Sequence, residues 1–419
     1  MLEYPQTGKT SGKMYTQSAQ MEPLWPARTE ALEDLARQVV AASAELAGHL
    51  APATREGLAR LLRVINSYYS NLIEGHNTHP IDIERAMRRE YSDAPDKRDL
   101  QIESHIHIEV QEALQRRLAD EPTLNVVAPE FLCWLHEKFY ERLPESLRWG
   151  RGDGETRAWV EAGQIRQRMV QVGWHLPPHQ DSLPQFLERW AGFYAPERFH
   201  GVQPLLAAAV AHHRLMWIHP FLDGNGRVAR LFTDAYLLRC GVTGYGLWNV
   251  SRGLARRRDD YRRYLAEADA ERANDWDGRG NLSDRGLTAF CAFFLEACFD
   301  QARYLGESLA LPTLLERLEK YVRLRADGLA AGLDHQNAPL RPTVGRILQA
   351  AAVQGYVTRG EVFRLIGKSE RTGRDTLKAL LAEGLLVAET ERGAVRLGFP
   401  AHAAGYWLPG LYPIGERVS

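Results

Sequence analysis

The chain has 419 residues, 45% of them apolar, enough to bury a large core distributed over two or three domains. Lys plus Arg number 52 against 53 Asp plus Glu, so no global charge bias draws the molecule to nucleic acid or an acidic membrane, and any such contact has to come from a local patch. The four cysteines, Cys133, Cys240, Cys291 and Cys298, lack zinc-like spacing and read as small buried residues of a reduced, cytoplasmic protein.

Residues 1–14 are polar and carry no signal-like apolar run. The most apolar stretch, 205–218, is broken by His212, His213 and Arg214, so no membrane span is expected. Helical periodicity then dominates, with helices expected near 27–49, 53–74, 80–90 and 99–118. The second carries Leu58, Leu61, Leu62, Ile65, Tyr69 and Leu72 at helical spacing and ends at Ser70-Asn71-Leu72-Ile73-Glu74-Gly75, where the glycine suits a left-handed stop. His76, His79, His105 and His107 share no acid–histidine pattern and read as surface histidines rather than metal ligands. Pro122 and Pro129 mark the end of an N-terminal region. Helices follow near 128–142, 181–195 and 203–218, with one of His212 and His213 packing beside the last. Residues 163–166 and 170–173 read as a short alternating strand pair closed off by Pro177 and Pro178.

Residues 219–230, H-P-F-L-D-G-N-G-R-V-A-R, concentrate the chemistry. A Gly-Asn-Gly turn leads into a helix over 226–240, and the mouth of a helix offers unpaired N–H groups and a positive dipole to an anion. Asp223 suits Mg²⁺, which binds through one or two carboxylates plus substrate phosphates. Gly224, Asn225 and Gly226 are candidate phosphate donors. Arg227 can fork onto one phosphate, and Arg230, a turn deeper, can reach a more distant one. His219, just before the turn, is placed to accept a hydroxyl proton as a neutral imidazole.

Further helices are expected near 255–271, 283–308 and 312–327. After a Gly/Ala/Asn-rich passage at 328–342 the pattern becomes three short helices, 343–354, 359–366 and 370–383, then β-rich runs at 385–388 and 394–397. That order resembles a winged helix-turn-helix. Lys368, Arg371, Thr372, Arg374 and Lys378 would face outward from its third helix, and residues 341–399 hold 10 basic against 6 acidic residues. This leaves open both DNA binding and a protein-docking or dimer role. The apolar segment 406–412 is expected to pack on a neighbouring domain or on another subunit, which leaves a homodimer open.

The 219–230 segment resembles the signature of the Fic family, H-P-F-x-[D/E]-G-N-G-R-x-x-R, at every fixed position. The resemblance implies a mainly α fold, a Fic-type helical bundle with a short β-hairpin flap, here at 163–173, that holds an extended target segment. It implies transfer of AMP from ATP, with Mg²⁺, to a hydroxyl of a target protein. His219 would be the base, Asp223 the metal ligand, Asn225 and the glycines the phosphate holders, Arg227 the α/β-phosphate grip and Arg230 the γ-phosphate grip. Gly226, where kinase-like members carry lysine, favours nucleotidyl transfer. Ser70 to Gly75 resembles the family's inhibitory motif, [S/T]-x-x-x-E-[G/N], and Glu74 would pair with Arg230 and block the γ-phosphate. Tyr261 falls in a stretch resembling R-x-x-Y-Y-x-x-L near the nucleotide base, although Arg262 replaces the second tyrosine. The implied layout is an N-terminal region to 125 with an inhibitory helix at 53–75, a Fic core at 126–308, a helical linker at 309–340, a winged-helix-like domain at 341–400 and a tail at 401–419. Three alternatives stay open: a transcriptional regulator reading DNA through the wing, another nucleotide donor, and removal rather than addition of AMP.

Overall fold

A computed structural model of the chain describes residues 14–151, 157–330, 332, 339–367 and 369–413. In chain order the helices and strands are α1 (Glu30–His49), α2 (Pro52–Glu74), α3 (Pro80–Met87), α4 (Pro95–Asp120), α5 (Pro129–Tyr140), β1 (Trp149–Arg151), β2 (Arg157–Trp159), α6 (Leu183–Phe193), α7 (Gln203–Ile218) and α8 (Asn225–Arg239). There follow α9 (Val250–Arg256), α10 (Arg258–Asp269), α11 (Asp284–Ser308), α12 (Leu311–Ala326), α13 (Thr343–Gln354), α14 (Arg359–Ile366), α15 (Glu370–Ala382), β3 (Leu386–Ala388), β4 (Val395–Leu397) and α16 (Ala401–Trp407). The mainly helical reading holds. No described helix is long and apolar enough to cross a membrane.

Three local expectations are corrected. The helix read over 255–271 is two, because Asn249 starts a separate helix by accepting from the Arg252 N–H at 3.3 Å, and the backbone breaks at Arg257. The strand pair read at 163–173 does not form. Gly163 and Gly173 are left-handed, at φ +75° and +60°, which breaks an extended run, and only a bridge between Val172 and His175 remains. The hairpin of this region lies upstream, where β1 and β2 pair antiparallel with Trp149 opposite Trp159. Finally, α16 was not anticipated.

The chain packs as two units, each assembled from separate stretches of the sequence. One comprises the residues up to Glu33 with Leu118–Arg239 and Asp259–Phe293. Its centre is α7, packed between α6 and α8. Nearly every side chain of α7 is buried, as expected for a helix that is apolar all round. Trp190 of α6 lies against Phe232 of α8 and donates its indole N–H to Ala211 O at 3.0 Å. Both His212 and His213 are fully buried here, where one was expected.

The other unit comprises Asp34–Arg117, Cys240–Arg258 and the chain from Phe294. The predicted apolar face of α2 is buried from Leu58 to Tyr69, with Leu72 half-buried, but so is a polar stripe that periodicity could not show. Asn66 donates to Gln111 Oε1 at 2.9 Å and Ser67 to Ser104 O at 2.8 Å. His107 is buried on α4 beside Gln111 rather than on the surface. The helix α12, read as a linker, buries Leu314, Leu318 and Tyr321 and packs on α13 and α16. Ser369 caps α15 as expected and Thr358 forms a capping box with Glu361 on α14. β3 and β4 form the expected hairpin. β4 also rests on α2 so closely that a Cβ at Gly57 would lie 2.6 Å from Leu397 O. The tail packs inside this unit, with Trp407, Leu408 and Leu411 buried and Tyr69 donating to Leu411 O at 2.8 Å. Among the cysteines, Cys291 and Cys298 are buried, whereas Cys133 and Cys240 are only partly so.

Candidate active site

The segment between α7 and α8 is built around an unusual backbone. His219 ends α7 in the left-handed region at φ +51°, ψ +61°, a conformation that costs a residue with a Cβ about 1–2 kcal/mol. Its Nδ1 lies 3.2 Å from Met216 O. A carbonyl can only accept, so Nδ1 carries the proton and Nε2 is left as the basic nitrogen. Burial, with help from His175 and Arg166, pushes the imidazole pKa down to about 4. It is therefore neutral at physiological pH.

Each following residue of the turn is tied down. Asn225 accepts from the Phe221 N–H at 2.9 Å and donates to Phe221 O at 2.8 Å. Its amide therefore closes the loop, and what it can offer an anion is its backbone N–H at the start of α8. Gly224 takes φ +81°, and a Cβ there would lie 2.5 Å from the Tyr140 ring. Asp223 accepts the Tyr140 hydroxyl at 2.7 Å and an Arg227 N–H at 3.2 Å on Oδ2. Desolvation opposes ionisation, but the Arg227 guanidinium and the Tyr140 hydroxyl outweigh it and hold the carboxyl below its usual range. The side chain is 45% exposed, so a depressed carboxylate faces solvent at the mouth of α8. Arg227 and Arg230 are both buried along α8, Arg227 over the rings of Phe139 and Tyr140. Three of the named groups, His219, Asp223 and the α8 N-terminus, thus meet in one loop.

Sequence reasoning missed the residues beneath that loop. His136 of α5 is stacked between Tyr140 and Phe221, with ring centroids 4.3 and 4.1 Å away. Its Nδ1 accepts from the Gly163 N–H at 2.9 Å, so Nε2 carries the proton and donates to Asp223 O at 3.2 Å. Burial lowers its pKa to about 4. His136 and Tyr140 stand four apart on one helix face, and that i, i+4 pair was the available signal. Arg166, inside the segment misread as a strand, is almost fully buried and reaches the carbonyls of His219 and Pro178. β1 also touches the loop: a Cβ at Gly150 would lie 3.1 Å from Asp223 Cβ.

Tyr261, expected near the nucleotide base, packs inside this unit. It is buried, its hydroxyl 2.8 Å from His212 Nε2 and its ring beside Phe293. Thr233 donates to Ala229 O, so its oxygen accepts from His212 Nδ1–H at 2.8 Å, and His212 Nε2 accepts from Tyr261. The chain of donors ties α10 and α7 to α8 one residue before Arg230. In the second unit, Ser70 is fully buried on α2 and Glu74 is its last residue, at the surface. Gly75 follows in the left-handed stop expected of it, at φ +99°.

Among the described residues, no group of three or more His, Cys, Asp or Glu side chains is arranged to hold a metal. Within residues 219–230 Asp223 is the carboxylate, which fits an ion that takes one carboxylate from the protein and the rest of its ligands from phosphates and water.

Residues 126–237 match the family model described as the Fic/DOC family. It is this segment, and not the whole chain, that is similar to the Fic/DOC family. The match runs from just before α5 to Leu237 in the last turn of α8 and so contains the whole loop. The protein adenylyltransferase Fic of Culex quinquefasciatus is 42% identical over 82 residues, and that of Drosophila grimshawi 39% over 82 residues. Each alignment covers 20% of this chain, and the chain spans only 16% and 17% of the two relatives. A Fic family protein from Desulfovibrio desulfuricans G20 superposes with a TM-score of 0.50 at 19% identity, over 87% of this chain and 95% of that one. A Fic domain containing signaling protein from Bacteroides thetaiotaomicron VPI-5482 gives 0.51 at 19% identity, over 65% of this chain and 96% of its own. These two likenesses concern the fold alone.

Proposed function

We propose that this chain is a protein adenylyltransferase that moves AMP from ATP to a hydroxyl side chain of a target protein. The observation that carries the reading is the His219 imidazole: neutral, with Nδ1–H on Met216 O and Nε2 left to accept a proton, in the same loop as the Asp223 carboxylate and the start of α8. The target hydroxyl oxygen bonds to the α-phosphorus as the bond to the β-phosphate oxygen breaks. Its proton passes to His219 Nε2, and pyrophosphate leaves. The N–H groups at the mouth of α8 and the Arg227 guanidinium receive phosphate oxygens, and Arg230 takes the γ-phosphate. Asp223 would hold Mg²⁺, which when bound neutralises phosphate charge. Gly226 leaves the position free of the lysine found in kinase-like members. The hairpin of β1 and β2, beside Asp223, replaces 163–173 as the candidate flap for an extended target segment.

Restraint belongs to the same reading. Glu74, carried at the end of α2, would neutralise Arg230 and exclude the γ-phosphate until released. Exposure of the full-length protein and of Glu74→Gly to each α-labelled nucleotide in cell extract tests both parts. Labelled protein bands with ATP, stronger in the variant and absent in His219→Ala, are expected. No labelled band with any nucleotide overturns the reading, and labelling with a different nucleotide moves the donor.

The C-terminal helices favour a second activity. Arg371, Arg374 and Lys378 are exposed on α15, although Arg374 is paired with Glu370 at 2.5 Å. Lys368 lies outside the described residues. Contact with DNA through this face would weaken steeply with salt, and band shifts over a salt series with several duplexes would separate sequence preference from its electrostatic background.

A further inference from the structure

The backbone of the His219 loop is held carbonyl by carbonyl. His219 O accepts from Arg166 Nε at 2.8 Å and Pro220 O from the Arg166 backbone N–H at 2.9 Å. Phe221 O accepts from Asn225 and Asp223 O from His136. Two of these four carbonyls depend on one residue, and that residue is itself immobilised. Its remaining guanidinium nitrogens donate to Arg168 O at 2.9 Å and Pro178 O at 2.6 Å. No carboxylate takes part in these contacts. A buried guanidinium divided among three main-chain carbonyls is a device for fixing backbone, since its planar fork presents donors in set directions.

What it fixes is a strained turn. His219 is left-handed without being glycine, and such a residue persists where its surroundings over-determine it. Without the guanidinium, His219 O loses its hydrogen bond, and among the described residues only the Arg166 N–H on Pro220 O and the His219 N–H on Leu215 O still hold this peptide's flanks. The imidazole is carried on the same Cα, with the 3.2 Å contact from Nδ1 to Met216 O as its hydrogen bond among the described residues.

We propose that Arg166 is a positioning residue for the transfer reaction: by clamping the carbonyls of His219 and Pro220 it aims the His219 imidazole at the reacting hydroxyl. The proposal rests on the reading of His219 as the base. Lysine cannot replace it, because one ammonium cannot reach carbonyls that lie in three directions around a planar group. The segment 163–178 is thereby part of the active loop's support.

The test uses the full chain carrying Glu74→Gly, with Arg166→Gln, Arg166→Lys and Arg166→Ala. Transfer rate from α-labelled ATP, ATP dissociation constant, thermal midpoint and the imidazole NMR signals are measured in parallel. The expected result is a fall of roughly 100-fold in kcat, the scale of a 1 Å misplacement, while ATP affinity changes by less than about threefold and KM stays near the parent's. Free guanidinium should restore part of the rate to Arg166→Ala and none to Arg166→Lys. In NMR, the His219 signal, assigned by its loss in His219→Ala, should be a single Nδ1–H tautomer in the parent and a mixture in the variants. A kcat within twofold of the parent in folded Arg166→Lys or Arg166→Gln overturns the proposal. So does a parallel loss of ATP affinity and midpoint with an unchanged tautomer, which marks a merely structural role. If the parent transfers no nucleotide, the adenylyltransferase reading fails by itself, and the NMR comparison alone decides whether Arg166 orients the imidazole.

Discussion

Tyr140 and Gly224 occupy the same space: the tyrosine ring stands 2.5 Å from where a Cβ at 224 would be, while its hydroxyl donates to Asp223 Oδ2 at 2.7 Å. The loop needs glycine here twice over, once for φ +81° and once for the ring. Gly224→Ala should therefore displace Tyr140 and free Asp223 together. Transfer is expected to fall at least 100-fold and stability by about 2–3 kcal/mol, combining backbone strain with overpacking. Urea unfolding and a labelling time course measure the two losses; a variant that labels at the parental rate would show that the contact does not matter.

Tyr140→Phe separates the contributions, since it keeps the ring and removes the hydroxyl shared by Asp223 and Arg227. Asp223 is partly exposed, so the stability cost should be small, roughly 1 kcal/mol. The larger effect is on charge placement. The Asp223 carboxyl pKa should rise, and the concentration of Mg²⁺ needed for half-maximal nucleotide binding should increase, which titration of ATP binding against Mg²⁺ reads directly.

A neutral His219 sets the acid limb of the transfer reaction. Its pKa of about 4 in the free protein predicts a kcat/KM for the target that is flat from pH 8 down to about pH 5 and falls only below that, where Nε2 is protonated. An ordinary histidine would give a limb near pH 6.5. His219→Ala should lose roughly 100- to 10,000-fold in rate at every pH, the usual worth of a general base, with ATP binding retained.

Much of this site is legible in the sequence, and the boundary of legibility has a physical cause. His219, Asp223 and the helix beginning at Asn225 are local: a turn and the helix after it are written in one segment. So are the Gly75 stop and the Ser369 cap, because capping uses neighbours in the chain. His136, Tyr140 and Arg166 act across 50 to 90 residues, and nothing near them in sequence marks their partners. Arg166 misled for a definite reason: its alternating neighbours looked like a strand, whereas its N–H and guanidinium bind carbonyls of the loop. The bond from the Tyr261 hydroxyl to His212 is likewise invisible in its motif, because the partner lies on another helix. The strands β1 and β2 are three residues each, too short for a period of two to register.

Buried neutral histidines also tie stability to pH. His136 and His219 are lowered to about 4 and His212 to about 3, in each case chiefly by burial. Between pH 6.5 and about 4 the unfolded chain binds protons that the folded protein refuses. Stability is therefore full above about pH 6.5 and declines as pH falls, by up to about 1.4 kcal/mol per pH unit for each group. Urea midpoints at pH 7.5, 6 and 5 should decrease in that order. His212→Asn, which removes one of the three, should flatten the decline, and an unchanged slope would mean that His212 is not part of it.

The second unit carries the opposite case, a carboxylate held in its charged form. Glu383, at the end of α15, accepts from Arg325 of α12 at 2.7 and 3.1 Å and lies 3.5 Å from His402. Desolvation works against the charge, but His402 and Arg325 together bring the pKa down to about 2. A depressed carboxyl stabilises above its unfolded pKa, and that stabilisation is lost as pH falls from about 4.5 toward 2; at neutral pH it amounts to about 3 kcal/mol. Glu383→Gln removes the carboxylate that forks onto the buried Arg325, and removing one partner of a buried pair costs more than the absence of the pair would. The variant is expected to lose about 3 kcal/mol in urea unfolding at pH 7, and Arg325→Met with Glu383→Leu to recover most of it. Recovery by the double variant identifies the loss as the broken charge pair, and failure to recover would place it in packing between α12 and α15 instead.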